Sequence, residues 1–342
     1  MSIVRLARDL GLSISTISRA LNGYDDVSPE TKQRVFQHAR EIGYRPNPGA
    51  RRLKSGKSSL VGVILPAGTD GVRFVDSVVS SLLGGVEVEL ESGGYSLIAT
   101  MQTRNDLQRE VALYENFIQG GWVDALLLVR TRVVDARIEL ARKAHLPFVT
   151  YGRTETPEPY AWVDTDNEKA FYLATQRQIE FGHRRIALLN GPLEYTFARL
   201  RETGYSRALA RKRIAQDRLL MLNGDLTEAS GYALCRSLLV SAEPPTAIVC
   251  ATDAMAIGAI AACRERGIEV GRKISIVGYG NSSASAFSDP PLTTIDHAVF
   301  ENGRHIGQCL LRLIRGEARP EDIHYLEPVV LVPRKSDGAR AA

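Results

Sequence analysis

The sequence predicts two architectures in one chain: an all-α head of three short helices, in helix-turn-helix form, and an α/β body of two parallel-sheet lobes. Three observations predict this. Residues 1–46 carry helical periodicity broken by cappable turns. Residues 47–58 are rich in chain breakers and cations. From Ser59 onward, short apolar runs alternate with helical stretches in two successive sets, the pattern of parallel strands with crossover helices.

In the head, Ser2 is placed to cap a helix over residues 3–10, with Ile3, Leu6, Ala7 and Leu10 inward. Gly11 makes a tight turn, and Ser13 caps a second helix near 14–21. Leu12, Ile17 and Leu21 fall on one face of it, which leaves Ile14, Ser15, Ser18, Arg19 and Asn22 on the other. Small hydroxyl side chains and one Arg on an exposed short helix suit entry into the DNA major groove, where Arg bridges two acceptors of guanine. They equally suit an ordinary capped helix of a small bundle. Ser28-Pro29 then supplies a cap and a proline at the first helical position. This third helix runs to about Ile42, with Val35, Phe36, Ala39 and Ile42 inward, and Gly43 ends it.

Tyr44-Arg45-Pro46-Asn47-Pro48-Gly49 reads as a linker, and 50–57 has room for about two helical turns. Leu53, its one large apolar residue, is flanked by cations. The stretch is either a plain linker or a segment that folds only against DNA and a second copy. Charge separates head from body. Residues 1–57 hold 11 Lys/Arg against 5 Asp/Glu, a net +6, which leaves −2 on the rest of a chain whose total is +4. A basic head on a near-neutral body is the electrostatic footprint of a nucleic-acid binder.

In the body the first strands are expected at 60–65, 95–100, 125–129 and 147–150, with helices near 72–91, 106–119 and 133–144. The second set places strands at 185–190, 219–222, 247–250 and 274–277, with helices near 167–181, 196–213, 226–240 and 252–266. A last helix near 297–315 and an extended run at 325–332 close the pattern. Two such units facing each other make a cleft for a small molecule at the carboxyl ends of their strands.

Enzyme signatures are missing. Gly56-Lys57-Ser58 mimics the end of a phosphate loop, but its first glycine would fall on Arg51. There is no Gly-x-Ser-x-Gly elbow, and His38, His145, His183, His297, His305 and His324 form no metal-spaced set. Cys235, Cys250, Cys263 and Cys309 form no zinc-type pair. No cofactor and no metal is expected. With no long apolar run and no signal-peptide pattern, a cytoplasmic location at the nucleoid is the expectation.

Read together, these stretches resemble the lactose/galactose repressor family of bacterial transcription regulators. Leu12-Ser13-x-x-Thr16-Ile17-Ser18-Arg19-Ala20-Leu21-Asn22, Val27-Ser28-Pro29-Glu30-Thr31-Lys32 and Ile42-Gly43-Tyr44-Arg45-Pro46-Asn47 carry the resemblance in the head. In the body Val163-Asp164-Thr165-Asp166-Asn167, Phe181-Gly182-His183-Arg184-Arg185, Arg199-Leu200-Arg201-Glu202, Ala251-Thr252-Asp253-Ala254 and Pro291-Leu292-Thr293-Thr294-Ile295 carry it. The resemblance implies that Ile14, Ser15 and Arg19 read bases. It implies that Thr16, Ser18, Asn22, Thr31, Tyr44 and Asn47 contact phosphates, and that Leu53 wedges into the minor groove beside Lys54. It also implies a body like a periplasmic sugar-binding protein, with an N-lobe of 60–163 and 296–322, a C-lobe of 164–295 and 323–335, and a flexible tail at 336–342. The hinge is 47–58, the body as a whole 59–335.

By the same resemblance Arg201 grips effector hydroxyls, and Phe74, Arg153, Asp164, Tyr195, Thr252, Asp253 and Asn281 face the cleft. Acids, amides and a bidentate Arg suit paired sugar hydroxyls. The chain departs from the family at three places. Gly280 stands where an Asp is usual, Leu226 where some lactose-type members carry a stacking Trp, and Gly152 where those members carry an acid. Phe74, Trp162, Tyr195 and Phe197 are the alternative stacking faces. The wording at 130–132 and 279–281 is similar to regulators of α-glucoside or related sugar use. The expected protein is an operator-binding repressor gated by a sugar. It is a homodimer, since residues 336–342 hold no leucine heptad.

Overall fold

The structure, a computed structural model, describes residues 2–21, 24–44, 56–65, 77–102 and 106–340. It divides into two compact units, Met1–Ser58 and Ser59–Ala342. The first unit contains α1 (Ile3–Leu10), α2 (Ile14–Leu21) and α3 (Pro29–Glu41). Local chemistry sets their ends. Ser2, Ser13 and Ser28 hydroxyls accept from the amides of Arg5, Thr16 and Thr31. Gly11 closes α1 in the left-handed conformation, φ 65°, which a residue without Cβ adopts without strain. Leu6, Ala7, Ile17, Ala20, Val27, Val35 and Ala39 form the core, with Ile3, Leu10, Leu12, Leu21, Ile42 and Tyr44 packed around it. Phe36 departs from expectation: it is 44% exposed, because Val35 and Ala39 take the inward stripe and a position adjacent to Val35 turns away.

The second unit holds two six-stranded sheets. The first sheet contains β1 (Leu60–Leu65), β2 (Ser96–Met101), β3 (Ala125–Val129), β4 (Phe148–Tyr151), β5 (Trp162–Thr165) and β11 (His324–Glu327). Its order is β11-β5-β4-β3-β1-β2, all parallel. The second sheet contains β6 (Ile186–Asn190), β7 (Met221–Asn223), β8 (Ala247–Cys250), β9 (Ser275–Tyr279), β10 (Thr293–Asp296) and β12 (Val330–Val332). Its order is β12-β10-β9-β8-β6-β7, parallel except for β12. The first lobe is completed by α4 (Ser77–Ser92), α5 (Leu107–Gln119), α6 (Ala136–Lys143) and α12 (Val299–Ile314), the second by α7 (Asn167–Glu180), α8 (Thr196–Arg211), α9 (Glu228–Leu239), α10 (Asp253–Glu265) and α11 (Ser283–Phe287). Continuous apolar strands such as Ala-Leu-Leu-Leu-Val in β3 are buried throughout, as expected for a sheet covered on both faces.

Two strands fall outside the predicted apolar runs. β5 and β10 are short and carry Asp164, Thr165, Thr293 and Thr294, polar residues that periodicity reads as loop. Burial is tolerated because these side chains find partners: the Thr294 hydroxyl donates to Asp253 (2.5 Å) and the Thr293 hydroxyl to Asp337 (2.6 Å).

The lobe boundaries also differ from expectation. β5 reaches Thr165 within the first sheet, and β11 pairs with β5, so residues 324–327 belong to the N-lobe rather than the C-lobe. The predicted single run at 325–332 is two strands in two sheets. Pro328 lies between them, where a residue without an N–H cannot continue a ladder. The chain therefore crosses between lobes after β5, after β10 and at 328–329.

The tail expected to be flexible is docked as far as residue 340. Ser336 Oγ donates to the Ile276 carbonyl (2.6 Å) and accepts from the Thr293 amide (2.8 Å). Asp337 pairs with Arg177, His183 Nε2 lies 3.0 Å from the Gly338 carbonyl, and the Arg340 amide donates to the Phe181 carbonyl (2.9 Å). Among the described residues no helix is long and apolar enough to cross a membrane.

Candidate functional site

The head presents α2 as read from the sequence. Ile14, Ser15 and Arg19 are exposed, and Thr16 and Ser18 half-buried. The Thr16 and Ser13 hydroxyls lie 2.8 Å apart, and the Ser28 hydroxyl donates to Thr31 (2.9 Å). Both threonines thus sit in the first turn of a capped helix, where free amides and the helix dipole favour phosphate oxygens. The Tyr44 ring packs on the head core. Arg19 pairs with Asp26 and lies 5.4 Å from the Tyr24 ring centre. Asn22, Asn47, Leu53 and Lys54 lie outside the described residues.

In the body a cavity of about 320 Å³ opens between the lobes, within the range of small-molecule sites. One wall is apolar, with Val78, Val79, Leu82 and Val129 from the first lobe and Leu226 and Ile257 from the second. The polar groups sit at the carboxyl ends of strands and the first turns of the helices that follow. Asp164 and Thr165 end β5, Asn167 opens α7, Asp253 opens α10, and His297 follows β10.

Arg201 is the central cation. It is 7% exposed and reaches from α8 to donate to Asn167 Oδ1 (2.8 Å) and the Ala251 carbonyl (2.8 Å). Its guanidinium lies 4.1 Å from the Tyr279 ring centre, 4.6 Å from Phe197 and 5.2 Å from Phe171. Rings on several sides and two fixed acceptors hold the group in one orientation. Asp253 is held by the Thr294 hydroxyl and by the Ser282 amide (2.7 Å). Burial raises its carboxyl above the usual range, and these donors work against that rise. The Thr252 hydroxyl lines the cavity while capping α10 through the Met255 amide (3.1 Å).

Asp164 is 3% exposed. Burial pushes its carboxyl up to about 7, against the pull of Arg153 at 3.2 Å and of the Thr165 amide. His297 is buried against Tyr279, ring centres 4.6 Å apart, and burial beside Arg201 pushes it down to about 4. It is neutral at pH 7, and among the described residues its Nδ1 has no hydrogen-bond partner.

A prediction follows for Asp164. Its native pKa near 7 lies above the ordinary 3.8. Between those values the native state holds a proton that the unfolded chain has lost, so this group adds stability as pH falls from about 8 to 4. Asp164→Asn should flatten that rise. The difference between wild type and variant in urea unfolding should change by on the order of 2–4 kcal/mol across the window. Parallel curves for the two proteins would remove the assignment.

Of the effector residues expected from the sequence, the structure brings Asp164, Arg201, Thr252 and Asp253 together on the cavity wall. Three others stand off it. Arg153 is spent on Asp164 and the face of Trp162, at 5.6 Å. Asn281 is spent on Asp296 (2.9 Å) and Arg334 (2.6 Å), and Tyr195 is buried behind Phe197. Phe74 lies outside the described residues. Of the other stacking faces considered, Phe197 lines the cavity, whereas Trp162 stacks on His324.

Sequence reasoning missed Thr131, Tyr151, Asn167, Tyr279 and His297 as wall residues. Position at a strand's carboxyl end could have found Tyr279; His297 follows β10, which no apolar run announces. The three departures all line the wall. Gly152 (φ 102°) leaves no room beside Thr131, whose Oγ1 would sit 2.6 Å from an added Cβ. Gly280 has φ 131°, so a side chain there is strained.

The family profile "Bacterial regulatory proteins, lacI family" matches residues 3–47, and "Periplasmic binding protein-like domain" matches residues 175–336. The chain is 36% identical over 318 residues to the HTH-type transcriptional regulator AglR of Rhizobium meliloti (strain 1021), covering 91% of this chain and 87% of that one. It is 32% identical to the HTH-type transcriptional regulator RafR of Escherichia coli, over 97% of each. Among solved structures, the lac repressor dimer bound to operator and the anti-inducer ONPF matches with a TM-score of 0.86 at 28% identity, over 99% of each chain. The transcriptional regulator CelR–cellobiose complex matches with a TM-score of 0.76 at 28% identity, over 98% and 99%.

Proposed function

The chain belongs to the lacI family of bacterial regulatory proteins, and from that premise we propose a sequence-specific DNA-binding repressor whose operator affinity is set by a small neutral sugar held between the lobes. It is a regulator, not an enzyme. The observation that carries the sugar assignment is the cavity: fixed acids, an amide and Arg201 beside the faces of Phe197 and Tyr279. Paired hydroxyls on one side and C–H faces on the other are what such a wall recognises. The relatives AglR and RafR carry the name of transcriptional regulators, and CelR is solved with cellobiose.

In this reading Ile14, Ser15 and Arg19 read base edges, while Thr16, Ser18, Asn22, Thr31, Tyr44 and Asn47 hold phosphates. Asp164, Arg201, Thr252 and Asp253, with Phe197, Tyr279 and His297, hold the sugar. The protein works as a homodimer in the cytoplasm, at the nucleoid. The domain division is a head of 1–46, a hinge of 47–58 and the body beyond. Sugar binding shifts the lobe angle and with it the pairing of the two hinges. A coupling of about 1–3 kcal/mol changes operator affinity roughly 5- to 150-fold.

The test is to select an operator from random duplex DNA with the full chain, then titrate maltose, cellobiose and raffinose into the complex. Selection of no common sequence would remove the DNA reading; a shift that no sugar alters would remove the effector reading. The hinge adds a second expectation. Leu53→Ala should weaken binding to the selected operator on the order of tenfold, and random DNA much less, because an apolar wedge acts only where the duplex is bent. Equal losses on both DNAs would rule out the wedge.

A further inference from the structure

The lobes meet at a second place besides the three chain crossings. The loop after β3 (130–135) runs antiparallel to the segment entering α8 (194–196), with Arg132 and Tyr195 as bridge partners. The Val133 amide donates to the Glu194 carbonyl (3.0 Å), and the Thr196 amide donates to the Thr131 carbonyl (3.0 Å). One segment belongs to the first lobe and the other to the second.

Side chains extend this contact in both directions. The Arg132 guanidinium lies 5.5 Å from the Tyr195 ring centre. On its far side Tyr195, 3% exposed, stacks on Phe197 at 5.5 Å and 9°. Phe197 is a wall of the cavity and covers Arg201. Behind Arg132 stands Glu110, whose Oε2 lies 2.7 Å from Arg132 Nη1. The other Glu110 oxygen accepts from Arg137 (2.6 Å), which also donates to Asp135 (2.6 Å) and to the carbonyls of Val129 (3.0 Å) and Arg130 (3.1 Å). Two cations and two carboxylates, their side chains buried, balance each other and fix the course of the loop. A cation placed over a ring in such a dry setting is attracted more strongly than at an exposed site.

We propose that Arg132 and Tyr195 are positioning residues of the effector site: they clasp the lobes together and seat Phe197 against the cavity. The proposal rests on the reading of that cavity as the effector site. Opening the lobes breaks the clasp and carries Phe197 and Arg201, which share α8, away from the first-lobe side of the cavity, so the complete wall exists only in the clasped state. A ligand that touches Phe197 and the first-lobe wall together therefore binds with an affinity scaled by the clasped population.

Hydrogen exchange of the full chain, without ligand, tests the clasp directly. Arg132→Met and Tyr195→Ala should speed exchange of the Val133 and Thr196 amides at least tenfold. Tyr195→Phe, which keeps the ring, should exchange as wild type does. Circular dichroism confirms the fold in each case, and Glu110 keeps Arg137 as its partner in Arg132→Met. Unchanged exchange in Tyr195→Ala, or equal acceleration in Tyr195→Phe, overturns the clasp.

The second arm uses maltose, cellobiose and raffinose. For whichever of these stabilises the wild type to heat, the two clasp-breaking variants should raise half-saturation about tenfold, and Tyr195→Phe should leave it unchanged. Half-saturation that stays put while the amides open overturns the positioning role. Binding of none of the three sugars counts against the effector reading alone, with the exchange result still deciding the clasp.

Discussion

A chain that begins at Ser59 is expected to fold, dimerise and bind the same sugar as the full protein, and to lose operator binding altogether. Among the described residues every strand lies after Ser59, so the body's core is complete without the head. The cut costs little locally, since the Ser59 amide donates to Asp124 (2.8 Å) and a terminal ammonium there keeps that partner. The electrostatic change is large. The excised 1–57 carry +6 and the remainder −2, so what is left repels a phosphate backbone. Gel shift of the selected operator over a range of salt measures this. Intact protein should lose affinity steeply with salt, with a slope of about −0.9 per neutralised phosphate, while the fragment shows no shift at any concentration of salt. A fragment that still retards the operator places DNA binding in the body.

Arg201→Ala is expected to abolish the sugar response while leaving the operator complex intact. The side chain joins α8 to Asn167 at the start of α7 and to the Ala251 carbonyl at the end of β8. Its removal deletes a fixed cation among three rings and leaves two buried acceptors without this donor, at about 1–3 kcal/mol each. A body with an ordinary margin of roughly 5–15 kcal/mol survives that loss, so the variant should unfold at lower temperature yet remain folded at 25 °C. Sugar affinity should fall at least 100-fold, which corresponds to ~2.8 kcal/mol. The head is a separate unit with its own core, so operator affinity without sugar should match wild type within a few-fold. Calorimetric titration and gel shift of one preparation separate the two effects. Unchanged sugar affinity would take Arg201 out of the site.

The two expectations together describe division of labour along the chain. On the proposed reading, the head's specificity rests on side chains that α2 exposes by default. On the same reading, the body's response rests on a cavity assembled from both lobes, whose closure the three crossings and the Arg132–Tyr195 contact permit or resist. The docked residues 336–340 add to this. By tying Ser336 and Asp337 to β9, β10 and α7, they stiffen the second lobe so that it moves as one piece.

Much of this was legible in the sequence because the decisive forces there are local. Ser2, Ser13 and Ser28 cap helices a few residues away, Gly11 turns the chain where it stands, and the inward stripe of α1 and α2 follows from spacing. The same holds for β1, β3 and β8, whose unbroken apolar runs admit only a buried strand. Asp253 was legible because strand ends in parallel sheets are where ligands sit, whereas Arg201 and Thr252 were legible only through the family resemblance. Tertiary structure alone decided the rest. Whether Tyr195, Arg153 or Asn281 faces a ligand depends on which partner reaches it first, and those partners are Arg132, Asp164 and Arg334, 63, 11 and 53 positions away in sequence. β10 escaped notice because Thr293 and Thr294 are satisfied in the interior only once Asp337 and Asp253 arrive from other elements, and β5 because Asp164 and Thr165 need Arg153 and Tyr151. His297 became a cavity residue because it follows β10 and packs on the Tyr279 ring, and the tail became part of a lobe through partners on β9, β10 and α7. A local pattern encodes the preference of a residue for water or for core. It does not encode the hydrogen-bond partner that makes burial of a polar group affordable, because that partner is delivered by the fold.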